Sequence, residues 1–257
     1  MPATTSAAPS IRFAQDVRRF HVRMAGDARD RATCYRLRHE VFLEEMLGRR
    51  HPSGLERDVH DDGFDHLLIT DIASGEPVGT CRLRVLPPGQ RSCYSAAEFD
   101  LGDFPDADGI KVEMGRTCLR RAYRNNLGLV ALGRGVGAYA AGARATWLFG
   151  CTSVGTTDLR LVAALTAAFL AQGASIGSFG ARPLDRHRMP GLAEAIAAGP
   201  DLADADGLVP PLLRTYLKAG ARISAEPALD RDFGCVDYLT FLDLRSHGSG
   251  FLAYTAA

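Results

Sequence analysis

The run Lys111-Val112-Glu113-Met114-Gly115-Arg116-Thr117-Cys118-Leu119 sets the tightest limit on what this chain can fold into. Val112, Met114, Cys118 and Leu119 are apolar, and Val112 and Thr117 are β-branched, so the segment reads as a buried strand. Yet it carries a carboxylate and a guanidinium, and a buried charge is costly unless it is paired or has a task. Glu113 and Arg116 are three residues apart, so an ideal strand points them to opposite faces. A bulge at Gly115 would bring them round to one side. The segment alone fits either a structural ion pair or an acid and cation held for chemistry.

With 257 residues the chain suits one large domain or two small ones, and its apolar and charged contents are ordinary for a globular protein. Net charge is zero, which argues against a nucleic-acid partner. Cys34, Cys81, Cys93, Cys118, Cys151 and Cys235 show no C-x-x-C and no metal-like spacing, so no metal site is expected. Cys81, Cys118 and Cys151 lie in apolar runs, as small buried hydrophobes do, and this fits a reducing cytoplasm. Residues 1–10 are small and polar, without the basic start or apolar core of a signal peptide, and are expected to be disordered.

Alternation in Phe20-His21-Val22-Arg23-Met24 predicts a first strand, and Asp27 or Asp30 can cap the helix after it. On that helix Cys34, Leu37 and Val41 form one stripe, and Tyr35, Arg38, Phe42 and Glu45 a second. Arg38 and Phe42 are four apart, so cation and ring project together; alone they read as a surface arginine lying over a phenylalanine. Residues 48–63 read as a loop ending in Asp61-Asp62-Gly63-Phe64-Asp65, whose spacing is wrong for a calcium loop. His66–Ile72 and Val78–Leu86 form a predicted hairpin around Ser74-Gly75-Glu76, with Arg82 on the second strand. Residues 87–109 look irregular. A helix is predicted over Leu127–Ala145; its Gly133, Gly135 and Gly137 make sense only if something packs very close. Arg134 in its middle excludes a membrane span. Thr146–Cys151 reads as a strand, Asp158–Gln172 as a helix begun by Thr156 or Thr157, Pro211–Ala219 as a short helix and Val236–Leu244 as a last strand. Residues 173–209 resist reading. The order suggests an α/β (α+β) domain over 11–245, a mixed, mostly antiparallel sheet with helices on both faces, with a loose tail over 246–257.

Taken together, several stretches resemble the GNAT-type N-acyltransferases, and within them the ornithine-lipid enzymes, with acyl-homoserine-lactone synthases as cousins. They are Tyr35-Arg36-Leu37-Arg38-His39-Glu40-Val41-Phe42, Asp62-Gly63-Phe64-Asp65-His66, Val78-Gly79-Thr80-Cys81-Arg82-Leu83, Val112-Glu113-Met114-Gly115-Arg116, Leu148-Phe149-Gly150-Cys151, Pro210-Pro211-Leu212-Leu213 and Asp237-Tyr238. The resemblance implies a GNAT fold and a charged cleft holding an amine substrate. Matched one by one, its binding positions are Arg38, Phe42, Asp62, Asp65 and Arg82, with Glu113 and Arg116 as the catalytic pair. Two departures matter. The tryptophan that the lactone synthases carry shortly after the Phe42 position is missing, for the only tryptophan is Trp147, so a plain amino acid is expected instead of an S-adenosyl substrate. The Arg/Gln-x-x-Gly-x-Gly/Ala loop of acetyl-CoA enzymes has Leu127 at its first glycine in Arg124-Asn125-Asn126-Leu127-Gly128-Leu129. That suits acyl carrier protein, whose acyl-phosphopantetheine arm presents a single phosphate to Cys118, Leu119, Arg120, Arg121 and Arg124. No permanently bound cofactor is implied.

The implied reaction is attack of the α-amine of ornithine on a (3-hydroxy)acyl thioester, giving lyso-ornithine lipid. Glu113 takes the amine proton directly or through water, and backbone N–H groups near Cys118 polarise the thioester oxygen. Residues 158–172 lack the tyrosine that many relatives use to protonate the leaving thiolate. Glycine, serine, glutamine or lysine as acceptor, an acyl-homoserine-lactone-type synthase, and a non-catalytic acyl-carrier or lipid-surface binding module stay open as alternatives. A cytoplasmic protein touching the inner membrane surface peripherally fits a lipid product, although no basic amphipathic helix stands out.

Overall fold

The computed structural model describes residues 11–246 apart from Ile176 and Asp206. The expected loose segments, 1–10 and the tail from 247, lie outside the described residues. The fold is mixed α/β with a mostly antiparallel central sheet and helices. Strands β1 (Ala14–Val17) and β2 (Phe20–Met24) lead into α1 (Ala28–Arg38), then β3 (Asp65–Asp71), β4 (Pro77–Leu86), the two-residue β5 (Phe99–Asp100) and β6 (Ile110–Leu119). Next come α2 (Asn126–Gly142), β7 (Ala145–Val154), α3 (Leu159–Ala171), β8 (Arg182–Pro183), α4 (Leu192–Ala197), α5 (Pro211–Lys218), β9 (Arg222–Ile223), β10 (Ala228–Asp230) and β11 (Cys235–Asp243). The chain divides into two compact units, one of residues 11–85 with Arg116–Ala145, the other of Leu86–Gly115 with residues 146–246; β6 contributes to both.

In the first unit β1, β2, β3 and β4 follow one another, with Val22 opposite Ile69 and His66 opposite Arg82. Asp27 caps α1 by accepting from the Asp30 N–H, while Asp30 turns to Arg23 and the Gly26 N–H. Gly135 of α2 has the expected cause: a Cβ there would stand 2.7 Å from Leu67 and Val22, so the helix lies directly on β2 and β3. Asn125 caps this helix, accepting from the Leu127 and Gly128 N–H groups. One expectation changes. The first helix does not run on as α-helix through Phe42, because His39–Met46 is π-helical. Its i→i+5 bonding breaks the four-residue register that paired Phe42 with Arg38. Arg38 is fully buried and Phe42 half-buried.

In the second unit β7, β11 and β10 pair antiparallel, and β9 adds to β11. Gly150 of β7 closes on β6; a Cβ there would lie 2.1 Å from the Met114 carbonyl oxygen, so only glycine fits. Phe104 sits among Trp147, Phe149, Phe179 and Phe241, with centroids 4.7–5.8 Å away. Trp147, whose indole donates to the Asp108 carbonyl, is thus part of the core. A second core joins Val162, Leu165 and Phe169 of α3 to Leu192, Leu213 and Tyr238. Asp158, not either threonine, caps α3. Residues 87–109 hold short 3-10 turns at Ser95–Ala97 and Phe104–Asp106 besides β5, which pairs with β8. No helix among the described residues is long and apolar enough to cross a membrane.

Candidate active site

In the first unit three arginines converge on three acids. Arg38 closes α1 and cannot reach water, so its guanidinium must find carboxylates. Its Nε donates to Glu56, and its two terminal nitrogens grip Asp61 at 2.6 and 3.0 Å. Arg82, buried on β4, donates to both oxygens of Asp58 at 2.7 Å and to Asp61 at 3.0 Å. Arg116 follows the midpoint of β6 and donates to Glu56 and Asp58, each at 3.2 Å. The loop over residues 48–63 therefore supplies Glu56, Asp58 and Asp61, and the cluster balances three positive charges with three negative ones. Burial alone would raise Asp61, but the hydrogen bonds and charge of Arg38, the Asp58 N–H and the Arg82 charge overcome it and hold the carboxyl at about 2. Asp58 is lowered in the same way, against burial, by Arg82 and Arg116. His66 lies beside Asp61 with the Tyr35 ring edge-on at 5.2 Å, and burial lowers its pKa.

The cluster grades from sealed to open. The side chains of Arg38, Arg82 and Asp61 are at most 1% exposed, whereas Arg116 is 15% and Asp58 22% exposed. Among the members of the cluster, Arg116 and Asp58 are therefore the ones water reaches most. The backbone of Arg116 has a φ of +49°, left-handed for a residue with a Cβ. Such a conformation costs about 1–2 kcal/mol, and it persists where surrounding contacts over-determine it.

The other predicted positions fall elsewhere. Asp62 is exposed and paired with Arg57 at 2.6 Å. Asp65 accepts from the Tyr139 hydroxyl at 2.7 Å, and burial, with the Asp65 charge, raises that phenol. Cys118 and Leu119 are buried, and burial raises the Cys118 thiol. Arg120 pairs with Glu40 and Glu76, while Arg121 and Arg124 share Glu45, the latter through two bonds of 2.6 and 2.8 Å. All six cysteines are free thiols.

In the second unit Glu113 is 1% exposed. One oxygen accepts from the Ser95 N–H and hydroxyl, both at 2.7 Å, and the other from the Tyr94 N–H at 3.1 Å. It thereby holds the 94–95 turn. Sequence reasoning missed Glu56, Asp58 and Asp61. The available signal was electrostatic: arginines set on apolar faces require acids somewhere, and the Glu56–Asp61 stretch was the acid-rich loop nearest in sequence.

Residues 37–134 match the acetyltransferase (GNAT) domain model. An L-ornithine N(alpha)-acyltransferase of Rhizobium meliloti (strain 1021) is 29% identical over 268 residues, covering 98% of this chain and 89% of that one. The protein of the same name from Rhodobacter capsulatus is 29% identical over 244 residues, covering 88% and 91%. Among solved structures, the AHL synthase LasI shares 15% identity at a TM-score of 0.49, covering 91% of this chain and 94% of that one. The GNAT domain match thus spans the arginine–carboxylate cluster, and similarity to L-ornithine N(alpha)-acyltransferases runs along nearly the whole chain.

Proposed function

We propose that this chain transfers a (3-hydroxy)acyl group from acyl carrier protein to the α-amine of L-ornithine, forming lyso-ornithine lipid. The observation that carries the reading is the end-to-end similarity to proteins named for ornithine Nα-acylation. The chemistry of the cluster agrees with it. Ornithine brings two amines and a carboxylate, and the Arg116–Asp58 edge offers one cation and one anion to meet them. In this reading Arg38 and Arg82 act from behind, fixing Glu56, Asp58 and Asp61, while Phe42, Asp62 and Asp65 border the acceptor site. Glu113 is assigned the role of base, taking the amine proton directly or through water. The amine attacks the thioester carbon, the C–S bond breaks, and the thiolate takes up a proton from solvent. Arg120, Arg121 and Arg124 receive the pantetheine phosphate, which competes with Glu45 for the last two. Contact with the inner membrane surface follows from the lipid product.

Mass spectrometry of lipids from cells expressing the chain tests the acceptor. Lyso-ornithine lipid is expected with the wild type, and a different head group would overturn the choice of ornithine. Purified protein should use acyl carrier protein far better than acyl-CoA; equal rates would remove the carrier from the proposal. Glu113→Gln keeps a hydrogen-bond acceptor for Ser95 but no basic carboxylate. It should lower turnover at least about a hundredfold while the protein stays folded. Wild-type turnover would reduce Glu113 to an anchor of its turn.

A further inference from the structure

Glu113 is held by a short turn, and a second buried acid closes that turn at its far end. Tyr94 and Ser95 open the turn and donate three hydrogen bonds to Glu113. Glu98 ends it: its N–H donates to the Ser95 carbonyl, and its own carbonyl accepts from the Leu184 N–H. Its side chain is committed as well. It is 6% exposed, and Oε1 accepts from the Tyr94 hydroxyl at 3.2 Å. The same carboxyl lies within hydrogen-bonding range of Asp237. Asp237 is buried on β11, opposite Ser153 of β7 and Ala228 of β10, so the strand that carries it is paired on both sides. Two carboxyl groups bond to each other only while one of them carries a proton. The groups facing Glu98 are the Tyr94 hydroxyl on its own turn, Asp237 and the Cys235 thiol on β11, Asp230 on β10 and the Cys151 thiol on β7. Arg186 donates to the Ala97 carbonyl and Arg231 to the Arg186 carbonyl, while the His187 ring meets the Leu229 carbonyl. Burial first, then the charges of Asp237 and Asp230, push the Glu98 carboxyl up to about 8, so the proton is present at neutral pH.

We propose that Glu98 is a positioning residue for acyl transfer: its protonated carboxyl ties the Tyr94–Glu98 turn to Asp237 of β11, and the tied turn holds Glu113. The inference rests on Glu113 being the base. Loss of the proton sets two buried carboxylates side by side, and the tie breaks. The turn then loosens, and Glu113 loses the donors that fix its direction. Turnover declines on the alkaline side as a result. An amine nucleophile gains reactivity as pH rises, so such a decline needs a group that fails on deprotonation.

The test measures kcat against pH for the full chain, with ornithine and acyl carrier protein saturating, in wild type, Glu98→Gln and Glu98→Ala. The glutamine amide donates to Asp237 and accepts from Tyr94 without titrating. Glu98→Gln should keep neutral-pH turnover within about twofold and lose the decline that wild type shows above about pH 8. Glu98→Ala makes neither bond and should lose at least about tenfold at neutral pH. Hydrogen exchange of residues 94–98 reads the tie without catalysis. The ratio of wild-type to Glu98→Gln exchange rates, taken at each pH, should rise above about pH 8. A wild-type profile with no alkaline decline, or a decline that survives in Glu98→Gln, would overturn the proposal. Failure of the tie and failure of the base assignment give different results. The first leaves the exchange ratio flat; the second leaves it rising while Glu113→Gln turns over at the wild-type rate. Either result removes the positioning role.

Discussion

The acidic groups of the two units are buried under opposite terms. In the first, Glu56, Asp58 and Asp61 each meet an arginine, and at Asp58 and Asp61 the guanidinium charges and hydrogen bonds outweigh the burial that opposes charge. In the second, Glu98 is raised by burial and then by the like charges of Asp237 and Asp230. Depth below the surface is similar for Asp61 and Glu98, so depth does not decide how a carboxyl behaves. The charge of the neighbour does. A balanced cluster is a fixed scaffold, which loses much when one member goes. A carboxyl held up by burial and like charges takes up a proton readily, and its replacement by an amide loses little.

The sharpest way to break this contrast is to remove one charge from the balanced cluster. Asp61→Asn leaves Arg38 and Arg82 buried beside a neutral amide, and it should destabilise the protein by about 3–5 kcal/mol in urea unfolding. A loss below about 1 kcal/mol would mean the cluster does not hold its loop. Acid titration comes next. Asp61 has a depressed folded pKa, so its contribution is present above the unfolded value near 4 and disappears as pH falls through about 2. The stability difference between wild type and Asp61→Asn should therefore shrink across that window by on the order of 2 kcal/mol. A difference independent of pH would assign the effect to packing. The smallest change is expected on the other side of the comparison. Glu98→Gln replaces a carboxyl among acids by a neutral isostere, and stability should move by less than about 1 kcal/mol. A large loss there would erase the distinction between the two regions.

Much of the fold was legible because burial imposes periodicity. The alternation at Phe20–Met24, the apolar runs of β7 and β11 and the glycine-rich α2 all mark elements whose ends shift by only a few residues in the structure. What stayed hidden lacks a period. The two- and three-residue strands β5, β8, β9 and β10 are too short to show one, and β1 is only four residues long. The π-helical turn at His39–Met46 carries an ordinary helical sequence. The site was legible by halves. Arg38, Arg82 and Arg116 stood out as cations on apolar elements, but their partners lay in a loop, where acids normally mean solvent. Glu113 stood out in the same way, and its partners proved to be the N–H groups of Tyr94 and Ser95, which no side-chain pattern announces.

From its residues alone this chain determined which segments must be buried and that several of them carry charge. That much follows from the aversion of apolar surface to water and from the cost of stranding an ion. Only the tertiary structure decided where each charge is answered. Pairing needs atoms brought within about 3 Å, and residues as distant along the chain as Glu56 and Arg116 meet at that range only after the strands and loop have packed.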